Sequence, residues 1–243
     1  MTSEKRLARI AGLLYLIVAV CGGFSELYVR SSVNVPGDAA ATADNISASA
    51  TLFRIGALTD LVNVACFLVL ALVLYGLLKP VSAKAALAML VFNAVSVAVM
   101  TANMVNHLGA LQAATSQNDA GAFGAASSDA LATLFLDMHS HGYLVAGIFF
   151  GLWLLPLGYL LFRSRYAPRA LGALVMIGSF GYVADAVTNV LFPTVGETLT
   201  PLMVLPSALA EVSLILWLLV KGLDVPRRVD HVPTSAEHVP ASV

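Results

Sequence analysis

Six long apolar runs, separated by short polar stretches, dominate the pattern of the chain. They cover Ile10–Val29, Ala57–Leu78, Ala85–Leu108, Leu134–Phe162, Ala170–Phe192 and Pro201–Val220. A hydrocarbon layer about 30 Å thick is crossed by about 20 helical residues, and each run meets that length. Lipid offers no partners to backbone N–H and C=O groups, so such runs form helices. The alternating pattern of a β-barrel is absent. The pattern therefore predicts an all-α integral membrane bundle of six transmembrane helices over residues 1–223. A tail over 224–243 is polar, carries Pro226, Pro233 and Pro240, and reads as disordered. Lys5, Arg6 and Arg9 ahead of Ile10 resemble the start of a signal peptide. No small-residue cleavage site follows, and the run reads as an uncleaved anchor.

Composition agrees with this pattern. Hydrophobic residues make up 59% of the 243 and charged residues 11%, with a mean hydropathy of +0.86. Soluble domains carry about 25% charged residues. The 13 Lys and Arg are balanced by 14 Asp and Glu and are scattered, which argues against a nucleic-acid partner. Cys21 and Cys66 lie inside apolar runs and read as small buried hydrophobes. The bases also set an orientation. Lys5, Arg6 and Arg9, then Lys79 and Lys84, then Arg163, Arg165 and Arg169, then Lys221, Arg227 and Arg228 fall on one side of the six runs. Only Arg30 and Arg54 fall on the other. The excess of bases marks the cytoplasmic side, so both termini are expected in the cytoplasm and the chain in the cell membrane.

Several segments resemble a known family. They are Arg9–Leu16, Pro36–Thr42, Leu74–Val81, Phe149–Tyr159 and Pro168–Gly172. Over about residues 6–222 the chain is similar to domain-of-unknown-function family 4386. The resemblance implies a bacterial polytopic membrane protein and implies no activity.

The polar residues inside the runs carry the functional signal. At 1.5 Å per residue, measured from the basic helix ends, Asn63 and Asp185 lie about 22 Å away. Glu26 lies at about 24 Å, Asp60 and Asn103 at about 27 Å, and His141, His107 and His139 beyond about 30 Å. Glu211, at about 13 Å, is near the midplane. The outer third is polar and the basic half holds little beyond Asn93. Intramembrane ionisable residues face a bundle interior or a water-filled cavity. The simplest picture is an outward-facing polar pocket, above an apolar plug, that binds a small or lipophilic molecule. Glu26, Asp60, Asn63, Asn103, His107 and His141 are the expected ligand-binding residues. Asp185 and Glu211 are the expected catalytic acid and base.

Charge sharpens the picture. Glu26, Asp60, Asp137, Asp185 and Glu211 face only Arg30 and Arg54 as strong bases. Five carboxylates cannot all be ionised at low dielectric beside two bases. Some are protonated, or histidines are charged, or a cation binds. A second reading is a metal-dependent intramembrane hydrolase, with His107, His139 and His141 holding zinc, Asp137 or Asp60 supporting, and one position left open. His139 lies about 200° round its helix from His141, a poor ligand spacing. The competing structural reading is a wet helix end whose histidines bond locally. A proton- or cation-coupled transporter and a non-catalytic scaffold subunit complete the alternatives. The empty basic half counts against transport. Asn63, Asn93, Asn103 and Asn189 also suit interhelical hydrogen bonding, and Gly147 and Gly151 suit close helix packing.

Overall fold

The need to satisfy the backbone carries the helices past the apolar runs that seed them. The structure, a computed structural model, describes residues 3–116 and 124–225. The first span begins as α1 (Ser3–Gly23), continues through a π-helical segment (Phe24–Arg30) and closes with a short turn, α2 (Ser31–Val33). A short helix, α3 (Ala39–Ala48), follows. Then come α4 (Ala50–Leu78), α5 (Ala83–Thr115), α6 (Ala125–Ser164), α7 (Arg169–Leu191) and α8 (Pro193–Val220). No strand occurs among the described residues. Six helices are long and apolar enough to cross a membrane.

The helices overrun the predicted spans. The first reaches Val33, α5 reaches Thr115, and α6 starts at Ala125. Apolar content locates the hydrocarbon, whereas these ends are set by caps and turns. Ser82 starts α5 by accepting from the Ala85 N–H at 3.4 Å. Asp38 starts α3 by accepting from the Ala41 N–H at 2.9 Å, a cap legible in the sequence. Pro193 opens α8 at a first-turn position that needs no N–H donor.

Successive long helices pack on each other, and α1 packs against both α4 and α8, closing a ring. The start of α1 and the segment after α8 meet at one end of the bundle. Lys5 pairs with Asp224 at 2.7 Å, and the Asp224 N–H donates to the Tyr166 carbonyl at 3.0 Å. The start of the predicted disordered tail is therefore anchored; from residue 226 onward that tail lies outside the described residues.

Two apolar clusters divide the bundle along its length. The one nearer the basic end is built around Tyr15, Leu74, Met89, Trp153, Leu157 and Leu218. The other, at the far end, joins Val29, Ile46, Phe53, Leu111 and Leu136. Here α3 lies across α5 and α6 as a cap. The polar site lies between the two clusters.

Helix association in lipid depends on close packing rather than on escape from water. Of the glycine pair singled out above, only Gly151 serves it. A Cβ on Gly151 would lie 2.6 Å from the Ser179 carbonyl oxygen of α7, whereas one on Gly147 meets nothing within 4 Å. Gly151→Ala should therefore cost about 1–3 kcal/mol by overpacking and lower the melting temperature in detergent. Gly147→Ala should leave the melt unchanged or slightly raised.

Candidate metal centre and adjoining cavity

The π-helical segment near the end of the first span sets up the site. Such segments are rare and cluster at functional sites. This one buries Ser25, Val29 and Arg30 together. Arg30, 7% exposed, reaches Asp60 of α4, 1% exposed. Its Nη1 donates to Asp60 Oδ2 at 2.6 Å and to Ser25 Oγ at 3.0 Å. Its Nε donates to Glu26 Oε2 at 2.8 Å, and Nη2 lies 2.7 Å from the same oxygen. Ser25 donates in turn to the Gly56 carbonyl at 3.1 Å, tying the first span to α4. The guanidinium also stands 5.6 Å from the centre of the Tyr143 ring of α6.

Two buried histidines face this ion pair. His107 of α5 stacks on Phe53, ring centres 3.9 Å apart, and its Nε2 lies 3.0 Å from the Phe53 carbonyl. His139 of α6 places Nδ1 3.3 Å from the Asn103 carbonyl. Asn103 returns the bond, donating from Nδ2 to the His139 carbonyl at 2.8 Å. A carbonyl only accepts, so His107 carries its proton on Nε2 and His139 on Nδ1. The lone pairs are left on His107 Nδ1 and His139 Nε2. Both atoms are buried without a hydrogen-bond partner, and so is Asp60 Oδ1.

These three residues form a cluster. One donor atom from each of Asp60, His107 and His139 lies within 4.8 Å of the others. Metal-bound His donates its second N–H to a carbonyl or carboxylate, which fixes the tautomer and the ring. Both rings here are already held that way. Metal–donor bonds of about 2.0–2.2 Å keep donors about 3–4 Å apart, so small side-chain rotations close the set. Within the buried layer Asp60 and Arg30 balance, and the second carboxylate on Arg30, Glu26, is exposed at its edge.

The sequence-predicted residues divide accordingly. Asp60, His107 and His139 come together, with Asn103 as the support of His139 and Glu26 as the outer partner of Arg30. His141 does not join them. It is exposed, and its Nδ1 bonds the Asp137 carbonyl of its own helix at 2.7 Å. The two-residue spacing turns it away from His139. Asp60 fills the position that His141 was expected to take. Asn63 donates to the Val18 carbonyl at 3.0 Å, joining α4 to α1. Asn93 is fully buried with no partner on its side chain.

Asp185 and Glu211, expected as acid and base, bond different partners. Asp185 accepts from Thr200 at 2.5 Å and from Asn189 at 3.0 Å, joining α7 to α8. Glu211 accepts from Tyr15 at 2.8 Å and from Tyr182 at 2.6 Å. Glu211 lines a cavity of about 180 Å³ that also touches Asn63 and Tyr143. Tyr143 packs on His139 with ring centres 5.8 Å apart, so the cavity borders the Asp60–His107–His139 centre. On the other side of Arg30 a cleft of about 230 Å³ is lined by Glu26, Asn34, Leu136 and Ser140.

Reading the sequence alone missed the inward turn of Arg30, and also Phe53, Tyr143, Tyr15 and Tyr182. Arg30 did carry a signal, as one of two bases among five carboxylates. The aromatic residues carried none, since an apolar run does not show which of its rings turns inward.

A ring of six membrane-length helices around a buried polar centre defines a multi-pass membrane protein. The chain belongs to the family described as Domain of unknown function (DUF4386), which it matches over residues 10–222. It is 32% identical over 117 residues to an uncharacterized protein of Archaeoglobus fulgidus, covering 47% of this chain and 55% of that relative. The chain thus spans about half the length of the relative it matches. No solved structure matches it.

The Arg30–Asp60 pair yields a stability test. Removing one partner of a buried ion pair costs about 3–5 kcal/mol, because the other charge is left uncompensated. Arg30→Met should therefore melt far below the wild type in detergent. Arg30→Met combined with Asp60→Leu should recover most of that loss, and additive losses in the double variant would refute the coupling.

Proposed function

We propose that this protein is a metal-dependent membrane enzyme. Asp60, His107 and His139 hold one divalent transition metal, and the substrate is a small or lipophilic molecule reaching it through the adjoining cavity. The observations that carry this reading are that one donor atom from each of the three residues lies within 4.8 Å of the others, and that each residue also holds a buried atom with no hydrogen-bond partner among the described residues. Two imidazoles and a carboxylate suit zinc or ferrous iron. Three protein ligands leave a position open for water or substrate, and hydrolysis is the reaction class such a centre serves best. Asn103 and the Phe53 carbonyl act through the histidines by fixing their tautomers, and Arg30 fixes the rotation of Asp60.

The test is metal content. Protein purified in detergent without a metal-affinity resin should carry about one equivalent of zinc or iron per chain. His107→Ala or His139→Ala should empty the site, whereas His141→Ala should leave it full. Folded wild-type protein that takes up no metal on titration would overturn the reading.

We further propose that the helix ends bearing Lys79, Lys84, Arg163, Arg165 and Arg169 face the cytoplasm and that the centre lies toward the outer face of a cell membrane. The bias of bases supports this orientation. Cysteine substitutions in an otherwise cysteine-free background test it. An impermeant thiol reagent applied to intact cells should label Ser49→Cys and spare Ser82→Cys; the reverse pattern would refute the orientation.

A further inference from the structure

Glu211 is a midplane carboxylate whose described partners are two neutral hydroxyls. Tyr15, from α1, and Tyr182, from α7, each donate to one of its oxygens. A tyrosine hydroxyl both donates and accepts, so these two contacts fit an ionised Glu211 and a protonated one alike. Among the described residues no Lys, Arg or His forms an ion pair with it. An uncompensated charge at that depth is costly. Glu211 keeps contact with the cavity of about 180 Å³, whose wall carries five aromatic residues, Phe67, Tyr143, Phe150, Trp153 and Tyr182, beside Asn63, Met100 and small residues of α1. These rings form one connected box. Phe67 meets Trp153 edge-on at 5.0 Å, and Phe150 stands 5.7 Å from Tyr182 and 6.2 Å from Tyr143.

A carboxylate at one point of an aromatic box is the chemistry that recognises an organic ammonium. The ring faces attract the cation, and the effect is larger once water is excluded. A hydrated inorganic cation would have to give up its water to walls that offer few oxygens. The volume is below the range of about 300–1,000 Å³ typical of drug-sized ligands, so it suits a head group rather than a whole amphiphile. We propose that this cavity binds the ammonium head of a small or amphiphilic amine, with Glu211 as its counter-ion. The inference takes the cavity as the ligand site of the function proposed above. It does not depend on the metal.

Choline and its neutral carbon isostere, 3,3-dimethylbutan-1-ol, test this directly. Each is titrated into the full chain in dodecyl maltoside, which has no ammonium group, while tryptophan fluorescence reports on Trp153. Choline should give a saturable change and bind about tenfold or more tightly than the isostere. Glu211→Gln, which keeps the shape and can still bond both tyrosines, should remove that preference. If this variant does not fold, the two ligands on the wild type still decide the matter. Equal affinity for choline and the isostere, or no saturable response to choline, would overturn the proposal. The same titration on His107→Ala separates the two readings. Choline binding retained without metal leaves the cavity assignment standing, and metal retained without choline binding leaves only the metal centre.

Discussion

The ion pair between Arg30 and Asp60 is the constraint on which the far half of the bundle depends. At membrane depth a lone guanidinium or a lone carboxylate is expensive. Together, with Glu26 and Ser25 as further partners of the guanidinium, they are tolerated. The pair also does geometric work. It holds Asp60 Oδ2 on Arg30, and Oδ1 remains for the histidines. It requires Ser25, Val29 and Arg30 to turn inward together, which the wider π-helical turn provides. Val29 then packs against Gly56, where any side chain would collide with it. The first span, α4 and the centre are in this way fixed as one unit.

The architecture was largely legible because its causes are one-dimensional. Apolar run length gives six helices, and Asp38, a residue type that favours N-caps, caps α3. Depth was legible too, since a fixed rise per residue places Asp60, Asn103 and His107 in one layer. Convergence was not. Which residues of a layer meet depends on helix rotation and crossing, and neither leaves a trace in hydropathy. The split between His139 and His141 followed from helical geometry alone, and the structure shows it: the first is 1% exposed, the second faces outward. Arg30 was misplaced for a clear reason. The apolar run stops at Val29, so the next residue read as a loop base, whereas the helix runs on to Val33. Tyr15 and Tyr182 were hidden in apolar runs, and with them the reason a midplane glutamate is tolerated.

The layering bears on what the bundle does. Toward the basic end, Tyr15, Phe67, Leu74, Trp153, Leu157 and Leu218 close into one packed cluster. Toward the far end, α3 and the residues around Ile46 and Phe53 form a second. The polar layer between them touches a cavity on one side of Arg30 and a cleft on the other. A passage through the bundle would have to part the larger cluster. A pocket entered from the far end, or laterally from lipid, leaves it intact, and the arrangement weighs toward chemistry in place rather than transport.

Carboxylates stand at two polar places in this bundle, Asp60 and Glu211, and their surroundings distinguish them. Around Asp60 the neighbours are imidazole nitrogens with free lone pairs, each fixed by a carbonyl behind it. Such donors prefer a transition metal ion to an organic cation, which has no empty orbital to offer them. Around Glu211 stand aromatic residues of the cavity wall and two tyrosine hydroxyls bonded to the carboxylate. These offer a metal ion a single ligand, but they offer an ammonium group a counter-ion and a box of π-faces. A carboxylate is common to both places, and the softness and geometry of the surrounding atoms distinguish the cation each would suit. Tyr143 stands against both places, over Arg30 and beside His139 on one face and on the cavity wall on the other. A molecule with its amine at Glu211 would therefore extend its other end toward Asp60, His107 and His139.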